Sequence, residues 1–153
     1  MSPQKRVISK QLGDLLIERG IIKREDLDRA LKLQKEKGGL IGDILVSLGC
    51  TDEEQIAQAI TVQYGFPYLP LASYEIEQRI VDMIPENVAR QYCLIGIDKI
   101  GDTLTIAMAN PLNLQATEDI ELISGSQVQI FVSTTTDIKN ALDKYYQKKK
   151  KEK

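Results

Sequence analysis

The chain has 153 residues, of which 42% are hydrophobic and 27% charged, as in an ordinary globular protein of one domain or two small ones. Twenty basic and 22 acidic residues give a net charge of −2, which provides no overall field favouring nucleic acid or a membrane surface. No apolar run approaches the roughly 18 residues that cross a bilayer, and the N-terminus lacks the apolar core of a secretory signal. The sequence therefore predicts a cytoplasmic protein.

The residue types argue against an enzyme. There is no histidine, which is the commonest general base and metal ligand. There is also no G-x-x-x-x-G-K-[ST] motif, so the chain cannot hydrolyse ATP by the P-loop route. The repeated carboxylates predict a solvated helix surface, and the two cysteines predict small buried hydrophobic side chains. These residues are Asp14, Asp43, Glu25 and Glu54, and Cys50 and Cys93.

The segment 1–65 predicts four short helices, because apolar residues recur at helical spacing between glycines and capping residues. The predicted helices cover 10–19 (capped by Ser9, ended by Gly20), 25–36, 41 to the stop at Gly49, and from the caps Thr51 or Asp52 to about Tyr64. Gly38 and Gly39 permit the turn between the second and third helices.

The composition changes after this point. Pro67 and Pro70 break the helical pattern and indicate a linker, or an edge strand at best. Two short helices, a β-hairpin, a helix capped by Asn113, a strand, and a closing helix capped by Thr136 or Asp137 follow in order. The sequence therefore predicts an α+β fold. Its parts are a helical half at 1–65, an α/β half with a roughly three-stranded sheet at 66–147, and a basic tail or linker at 148–153.

The helical half contains an internal repeat. The stretches Gln11–Gln34 and Leu40–Gln63 are equal in length, and the short spacer 35–39 separates them. When Leu12 is aligned with Ile41, helical patterning alone would match apolar positions, but it would not also match two glycines and a terminal glutamine. The identical pairs are Gly13/Gly42, Asp14/Asp43, Leu16/Leu45, Gly20/Gly49, Glu25/Glu54, Ala30/Ala59 and Gln34/Gln63.

Two pairs in the repeat admit more than one interpretation. Gly13 and Gly42 lie inside or at the start of a helix, where glycine costs about 1 kcal/mol relative to alanine. A close approach of another helix or of a ligand to the backbone would explain them. Gln34 and Gln63 follow apolar residues on the inward stripe of a helix, where each amide requires hydrogen bonds. Each glutamine either satisfies a neighbouring loop or reads the polar edge of a ligand.

The two motifs resemble the MshEN domain, the N-terminal domain of type II secretion and type IV pilus assembly ATPases. That family has paired motifs of this length, each beginning R-L-G and ending L-x-x-x-L-x-x-Q, with a spacer of the same size. The segments "YGFPYLPL", "IPENVARQYCLIGI" and "TIAMANPLNLQATEDIE" are also similar to the family's second half, so the resemblance covers nearly the whole chain.

The resemblance implies that each motif holds one half of cyclic di-GMP, which is a two-fold symmetric dinucleotide. It implies binding positions at Gln11, Leu12, Gly13, Leu27, Leu31 and Gln34 in the first motif, at Leu40, Ile41, Gly42, Ile56, Ile60 and Gln63 in the second, and at Asn110. Backbone N–H groups at the glycines would approach a phosphate, and aliphatic side chains would cover the guanines. No other cofactor and no metal is implied.

The chain departs from the family pattern at three of these positions. The leading arginine of each motif, which suits guanine stacking and phosphate pairing, is replaced by Gln11 and Leu40. The aspartate of the A-M-A-D-P sequence is Asn110, whose amide cannot offer a carboxylate's two acceptors to a guanine N–H pair. Lys10 or Lys37 could supply charge nearby, although neither occupies a motif position.

Three functions fit this sequence. The chain is a cyclic di-GMP sensor, a docking module with a degenerate dinucleotide site, or a free-standing adaptor whose repeat is structural. The resemblance favours a non-catalytic regulatory or docking domain, either part of a longer ATPase or free-standing. Its implied partners are inner-membrane platform proteins of a secretion or pilus system, or an assembly ATPase. These partners would place it peripherally at the inner membrane.

Overall fold

The computed structural model describes the backbone of residues 12–151 and the side chains of residues 12–146. The chain forms two compact units: the repeat unit, Met1–Gly65, and the sheet unit, Phe66–Lys153. The first helix, α1, is helical at 12–18. The elements that follow it are α2 Arg24–Lys37, α3 Ile41–Ser47, α4 Glu53–Tyr64, a 3-10 turn at Leu71–Ser73, α5 Gln78–Val81, α6 Glu86–Tyr92, β1 Leu94–Ile100, β2 Thr103–Met108, α7 Leu114–Ser124, β3 Gln127–Val132 and α8 Thr135–Lys151.

The repeat unit is two copies of one helical hairpin, and the copies end their first helices in the same way. Gly20 has φ +74° and Gly49 has φ +78°, a conformation that glycine adopts without steric cost. After α1 the N–H of Ile21 donates to the carbonyl of Leu16 at 2.9 Å, and after α3 the N–H of Cys50 donates to the carbonyl of Leu45 at 3.0 Å. This is the Schellman pattern of a helix end, and it occurs at equivalent positions of the two motifs.

The sheet unit contains a three-stranded mixed sheet in the order β1-β2-β3. Strands β1 and β2 form an antiparallel hairpin, and β2 pairs in parallel with β3 through the crossover helix α7. The turn of the hairpin is Gly101-Asp102, with Gly101 at φ +57°. Helices α5, α6 and α8 pack against β1, and α7 packs against β3. The predicted α+β fold with a roughly three-stranded sheet is confirmed.

The proline-rich segment at the start of the sheet unit lies along β3. Val132 donates its N–H to the carbonyl of Pro67 at 2.8 Å, and Leu69 donates its N–H to the carbonyl of Val132 at 2.9 Å. A single parallel bridge joins Tyr68 to Val132. Proline is compatible with such an edge position because it need not donate to the ladder. The segment therefore lies at the edge of the sheet beside β3 and is joined to it by a single bridge, so it does not form a full strand.

Two consecutive tyrosines of α8 hold the segment before β1. The Tyr145 hydroxyl accepts the N–H of Ile76 at 2.8 Å. The Tyr146 hydroxyl donates to the carbonyl of Ile84 at 2.6 Å, with the carbonyl of Val81 at 3.1 Å. Burial raises the pKa of Tyr146 to about 12, and the nearby carboxylates of Asp82 and Glu86 act in the same direction. These bonds satisfy backbone groups that short helices leave unpaired.

Of the side-chain caps predicted within the described residues, those of α4 and α7 are confirmed and that of α8 is wrong. The side chain of Asp52 accepts the N–H of Gln55 at 2.8 Å, and that of Asn113 accepts the N–H of Ala116 at 3.2 Å, as predicted. The predicted caps Thr136 and Asp137 are wrong, because both lie within the first turn of α8. Thr134 caps this helix by accepting the N–H of Asp137 at 3.2 Å. The predicted cap Ser9 lies outside the described residues.

Among the residues that the structure describes, no helix is both long enough and apolar enough to cross a membrane. The backbone of 148–151, predicted as a basic tail or linker, continues α8.

Candidate functional site

The motif glycines lie where the second helix of each hairpin crosses the first. A Cβ atom on Gly13 would lie 2.6 Å from Cδ2 of Leu27, and one on Gly42 would lie 3.5 Å from Cδ1 of Ile56. The two contacts join equivalent positions of the two copies. Of the two explanations for these glycines, the structure therefore shows the close approach of another helix. The first contact is tight and the second is an ordinary van der Waals distance.

The apolar residues of both motifs form the interior of the repeat unit. Leu12, Leu27, Ile41, Ile56 and Ile60 are all buried, with exposed fractions of at most 8%. The remaining motif positions with apolar side chains, Leu31 and Leu40, are half-buried. Among the apolar side chains of the motifs, these two leucines are therefore the ones whose exposed surface a planar base could contact in this conformation.

The paired glutamines are the point at which the two copies diverge. Gln34 is 3% exposed, and its Nε2 donates to the carbonyl of Gly39, in the loop between α2 and α3, at 2.9 Å. Gln63 is exposed, and its Oε1 accepts from Nη2 of Arg19 at 3.4 Å. The loop interpretation therefore applies to Gln34. The amide of Gln63 lies at the surface, where a ligand can reach it.

The leading positions of the two motifs, where the family has arginine, are Gln11 and Leu40. Gln11 lies outside the described residues, as does Lys10. Leu40 is the residue before α3, with an extended backbone at φ −88° and ψ 137°. A side chain at this position is half-buried at a helix N-terminus, where backbone N–H groups and the helix dipole favour an anion.

Asn110 lies in the sheet unit, in the turn between β2 and α7. Its Oδ1 accepts the N–H of Leu112 at 3.1 Å, and its carbonyl accepts the N–H of Asn113 at 3.3 Å. An aspartate would accept the first of these bonds equally well, because both side chains form such Asx turns. The acceptor at this position therefore has a structural role in the turn that leads into α7.

Arg19 is a residue that the sequence interpretation did not select. It lies just after the last helical residue of α1 and brings a guanidinium to Gln63 at the end of α4. Position 19 aligns with Leu48 in the second copy, so the repeat gave no signal for a cation there. Lys37, which the sequence offered as a nearby charge, is exposed at the last turn of α2.

The four repeated carboxylates of the two motifs differ in their exposure to solvent. Glu25 and Glu54 are exposed, as predicted, but Asp14 and Asp43 are half-buried. One carboxylate oxygen of Asp14 is buried without a hydrogen-bond partner. The solvated surface predicted for these carboxylates is therefore wrong for Asp14, one of whose oxygens is buried, and Asp43 is only partly exposed. In the part of the chain that the structure describes, no three of its cysteine, aspartate and glutamate side chains come together as a metal site.

The cysteines also differ from each other. Cys93 is buried, as predicted, whereas Cys50 is half-buried and its Sγ lies 3.5 Å from Nη2 of Arg29. The prediction of a buried hydrophobe at Cys50 is wrong, because the residue follows the Gly49 helix end at the edge of the unit. Neither of these two described cysteines is part of a disulfide.

The chain is similar in sequence to known proteins. The type IV pilus assembly ATPase PilB of Myxococcus xanthus (strain DK1622) is 29% identical over 142 residues, which are 93% of this chain and 25% of PilB. The type II secretion system protein E of Xanthomonas campestris pv. campestris is 23% identical over 149 residues, 94% of this chain and 26% of that protein. The chain thus spans about a quarter of the length of these relatives.

Two solved structures are similar in fold. The structure of MshE with cdg is 33% identical, has a TM-score of 0.67, and aligns over 88% of this chain and 98% of its own. The N-terminal domain of XpsE has a TM-score of 0.72 over 90% of this chain and 95% of its own, and at 19% identity it shows the fold alone. The fold is therefore that of an N-terminal domain of this class of ATPases.

The MshEN domain profile matches residues 64–152, which cover the sheet unit and the last residue of α4. The chain belongs to the MshEN domain family. The tandem repeat lies before the matched segment, so its two motifs are evidence additional to that match.

Proposed function

We propose that this chain is a non-catalytic domain that docks and regulates an ATPase of a type II secretion or type IV pilus assembly system. In this proposal its partners are inner-membrane platform proteins or the ATPase itself, and it acts in the cytoplasm at the inner-membrane surface. Its cyclic di-GMP site is degenerate. The supporting relatives are a pilus ATPase and a secretion protein of which the chain spans about a quarter.

The degenerate site is supported by one observation: the two copies of the repeat retain their packing, whereas several of the polar groups that the resemblance implies for the ligand are replaced or engaged elsewhere. The Gly13–Leu27 and Gly42–Ile56 contacts are both present. Neither motif has its leading arginine, and Gln34 uses its amide on the Gly39 carbonyl. A dianionic ligand without two charge-assisted contacts, each worth about 1.5–3 kcal/mol, binds weaker by orders of magnitude.

Binding of the purified chain to the cytoplasmic regions of platform proteins from the same organism tests the docking function. Biolayer interferometry should show saturable binding for at least one of them. A chain that binds neither a platform protein nor the ATPase core would contradict docking, and the adaptor without nucleotide binding would then stand as the alternative.

Cyclic di-GMP sensing is the second candidate, because MshE was solved with cdg, which we take to be cyclic di-GMP, and this chain aligns with 98% of that structure. Calorimetric titration decides between the two. A degenerate site predicts no measurable heat at about 100 µM ligand, where a micromolar site would be saturated. Heat that disappears in Gln63→Ala would establish sensing instead, since Gln63 is the exposed motif glutamine.

A further inference from the structure

Helix α7 presents an outer face that no described part of the chain covers. Its buried side, Ala116 and Ile120, is directed toward the core of the sheet unit. Leu114 is 70% exposed and Leu122 is 83% exposed, and both lie on the opposite side of the helix. These leucines are two helical turns apart, about 12 Å along the helix axis. Large apolar side chains this exposed are costly to hydrate, and a partner that covered both leucines would remove that cost.

The same face is acidic. Glu118 and Glu121 lie between the two leucines on the exposed side, and in the described part of the chain neither side chain forms an ion pair or a hydrogen bond. The sequence from 100 to 138 contains five acidic residues and no lysine or arginine, although the whole chain has 20 basic residues. The face of Leu114, Glu118, Glu121 and Leu122, here called the α7 face, is therefore negative and apolar.

The third carboxylate of α7 has a different role. Asp119 accepts a short hydrogen bond from the Tyr92 hydroxyl and a second bond from Nε2 of Gln115 at 2.8 Å. The Tyr92 bond attaches α7 to the last residue of α6, and the Gln115 bond lies within α7. The α7 face is thus held on a rigid support, and a partner would not lose affinity to the ordering of this helix.

We propose that the α7 face docks a basic amphipathic helix of a partner protein. Leucine-sized apolar residues two turns apart on that helix would pack on Leu114 and Leu122, and lysines or arginines between them would pair with Glu118 and Glu121. A two-fold contact of the α7 face with the same face of a second copy would place carboxylates against carboxylates, and an anionic lipid surface would repel them. The inference rests on the docking part of the proposed function.

A synthetic helical peptide of leucine and lysine tests this surface, provided that it exceeds the roughly 15 residues below which isolated helices are marginal. Titrated into the isotopically labelled full chain, it should shift the backbone resonances of 114–124 more than those of any other element. Glu118→Lys with Glu121→Lys should weaken its binding at least tenfold by fluorescence anisotropy. The same variant should gain affinity for a twin peptide in which glutamate replaces lysine, which a misfolded variant could not do.

Glu25→Lys with Glu54→Lys is the matched control, because it makes the same change of net charge at exposed helix positions of the repeat unit. An equal loss of binding in both double variants would overturn the proposal, since overall charge would then explain it. Platform binding that survives Glu118→Lys with Glu121→Lys would reject the α7 face while leaving docking intact. Absence of platform binding in the unmodified chain would instead remove the docking function itself.

Discussion

Gln34 and Gln63 are equivalent residues of the repeat with unequal surroundings, and their substitution separates structure from binding. Gln34→Ala removes a buried amide and leaves the Gly39 carbonyl without its donor, so we expect a loss of about 1–2 kcal/mol in the free energy of unfolding. Gln63→Ala alters an exposed side chain and should change it by less than about 0.5 kcal/mol. Urea unfolding of the two variants measures the difference. Equal losses would mean that the amide of Gln34 is not held by the loop.

The two motif glycines, Gly13 and Gly42, are a second pair of equivalent residues whose substitutions can be compared with each other. Gly13→Ala would push Leu27 out of a well-packed position, at a cost of about 1–3 kcal/mol that exceeds the gain in helix propensity. Gly42→Ala meets Ile56 at an ordinary contact distance, so the gain of up to about 1 kcal/mol should remain. Thermal unfolding should therefore move in opposite directions for the two variants. A destabilised Gly42→Ala would indicate that the second crossing is as tight as the first.

At the scale of elements, the hydrogen bond from Tyr92 of α6 to Asp119 of α7 should make the free energy of unfolding depend on pH in the alkaline range. Hydrogen bonding to Asp119, together with burial, raises the pKa of Tyr92 to about 12, from 10.0 in the unfolded chain. Because the folded state retains the proton more strongly, this contribution is complete below pH 10 and is lost as the pH rises toward 12.

Tyr92→Phe removes this contribution. The unmodified chain should exceed the variant by about 1 kcal/mol in unfolding free energy at pH 8, and the two should converge as the pH approaches 12. Urea unfolding at pH 8, 10 and 11 provides the curve. Tyr146 titrates in the same range and remains in both proteins, so its effect cancels in the comparison. A constant difference at all three pH values would show that the Tyr92 hydroxyl makes no such bond.

Elements were predictable where local chemistry decides them. The glycine ends after α1 and α3 and the caps Asp52 and Asn113 depend on residues within one turn, and each formed as the sequence predicted. The cap of α8 was missed because three threonines stand in a row, and the one used, Thr134, is fixed by the end of β3. Local sequence cannot distinguish such neighbours, because their capping abilities are the same.

At the scale of the whole molecule, the repeat predicted which positions of the two motifs correspond, but not which residues contact them in the folded chain. The sequence indicated that something approaches Gly13 and Gly42, but only coordinates show that Leu27 and Ile56 do so. Arg19 beside Gln63, and the engagement of Gln34 by a loop, are contacts that no motif spacing encodes. The repeat treats its two copies as equal, and tertiary contacts make them unequal.

Whether the frame still fits a dinucleotide can be tested by restoring the arginines. Gln11→Arg with Leu40→Arg adds two cations at the leading motif positions, and each charge-assisted contact should raise affinity for cyclic di-GMP tenfold or more. Since a ligand that binds only the folded state adds RT ln(1 + [L]/Kd) to stability, the variant should also melt at a higher temperature with ligand than without it. Calorimetry and melting curves provide the two measurements.

Added charge alone could attract the ligand, so the control is Gln91→Arg with Gln127→Arg, two exposed positions of the sheet unit. This control should leave affinity and ligand-dependent melting unchanged, because neither position belongs to a motif and the attraction of an exposed charge is screened by salt. If the motif variant behaves like the control, Gln11 and Leu40 do not correspond to the family's arginines. The two motifs would then be a packing repeat rather than the frame of a dinucleotide site.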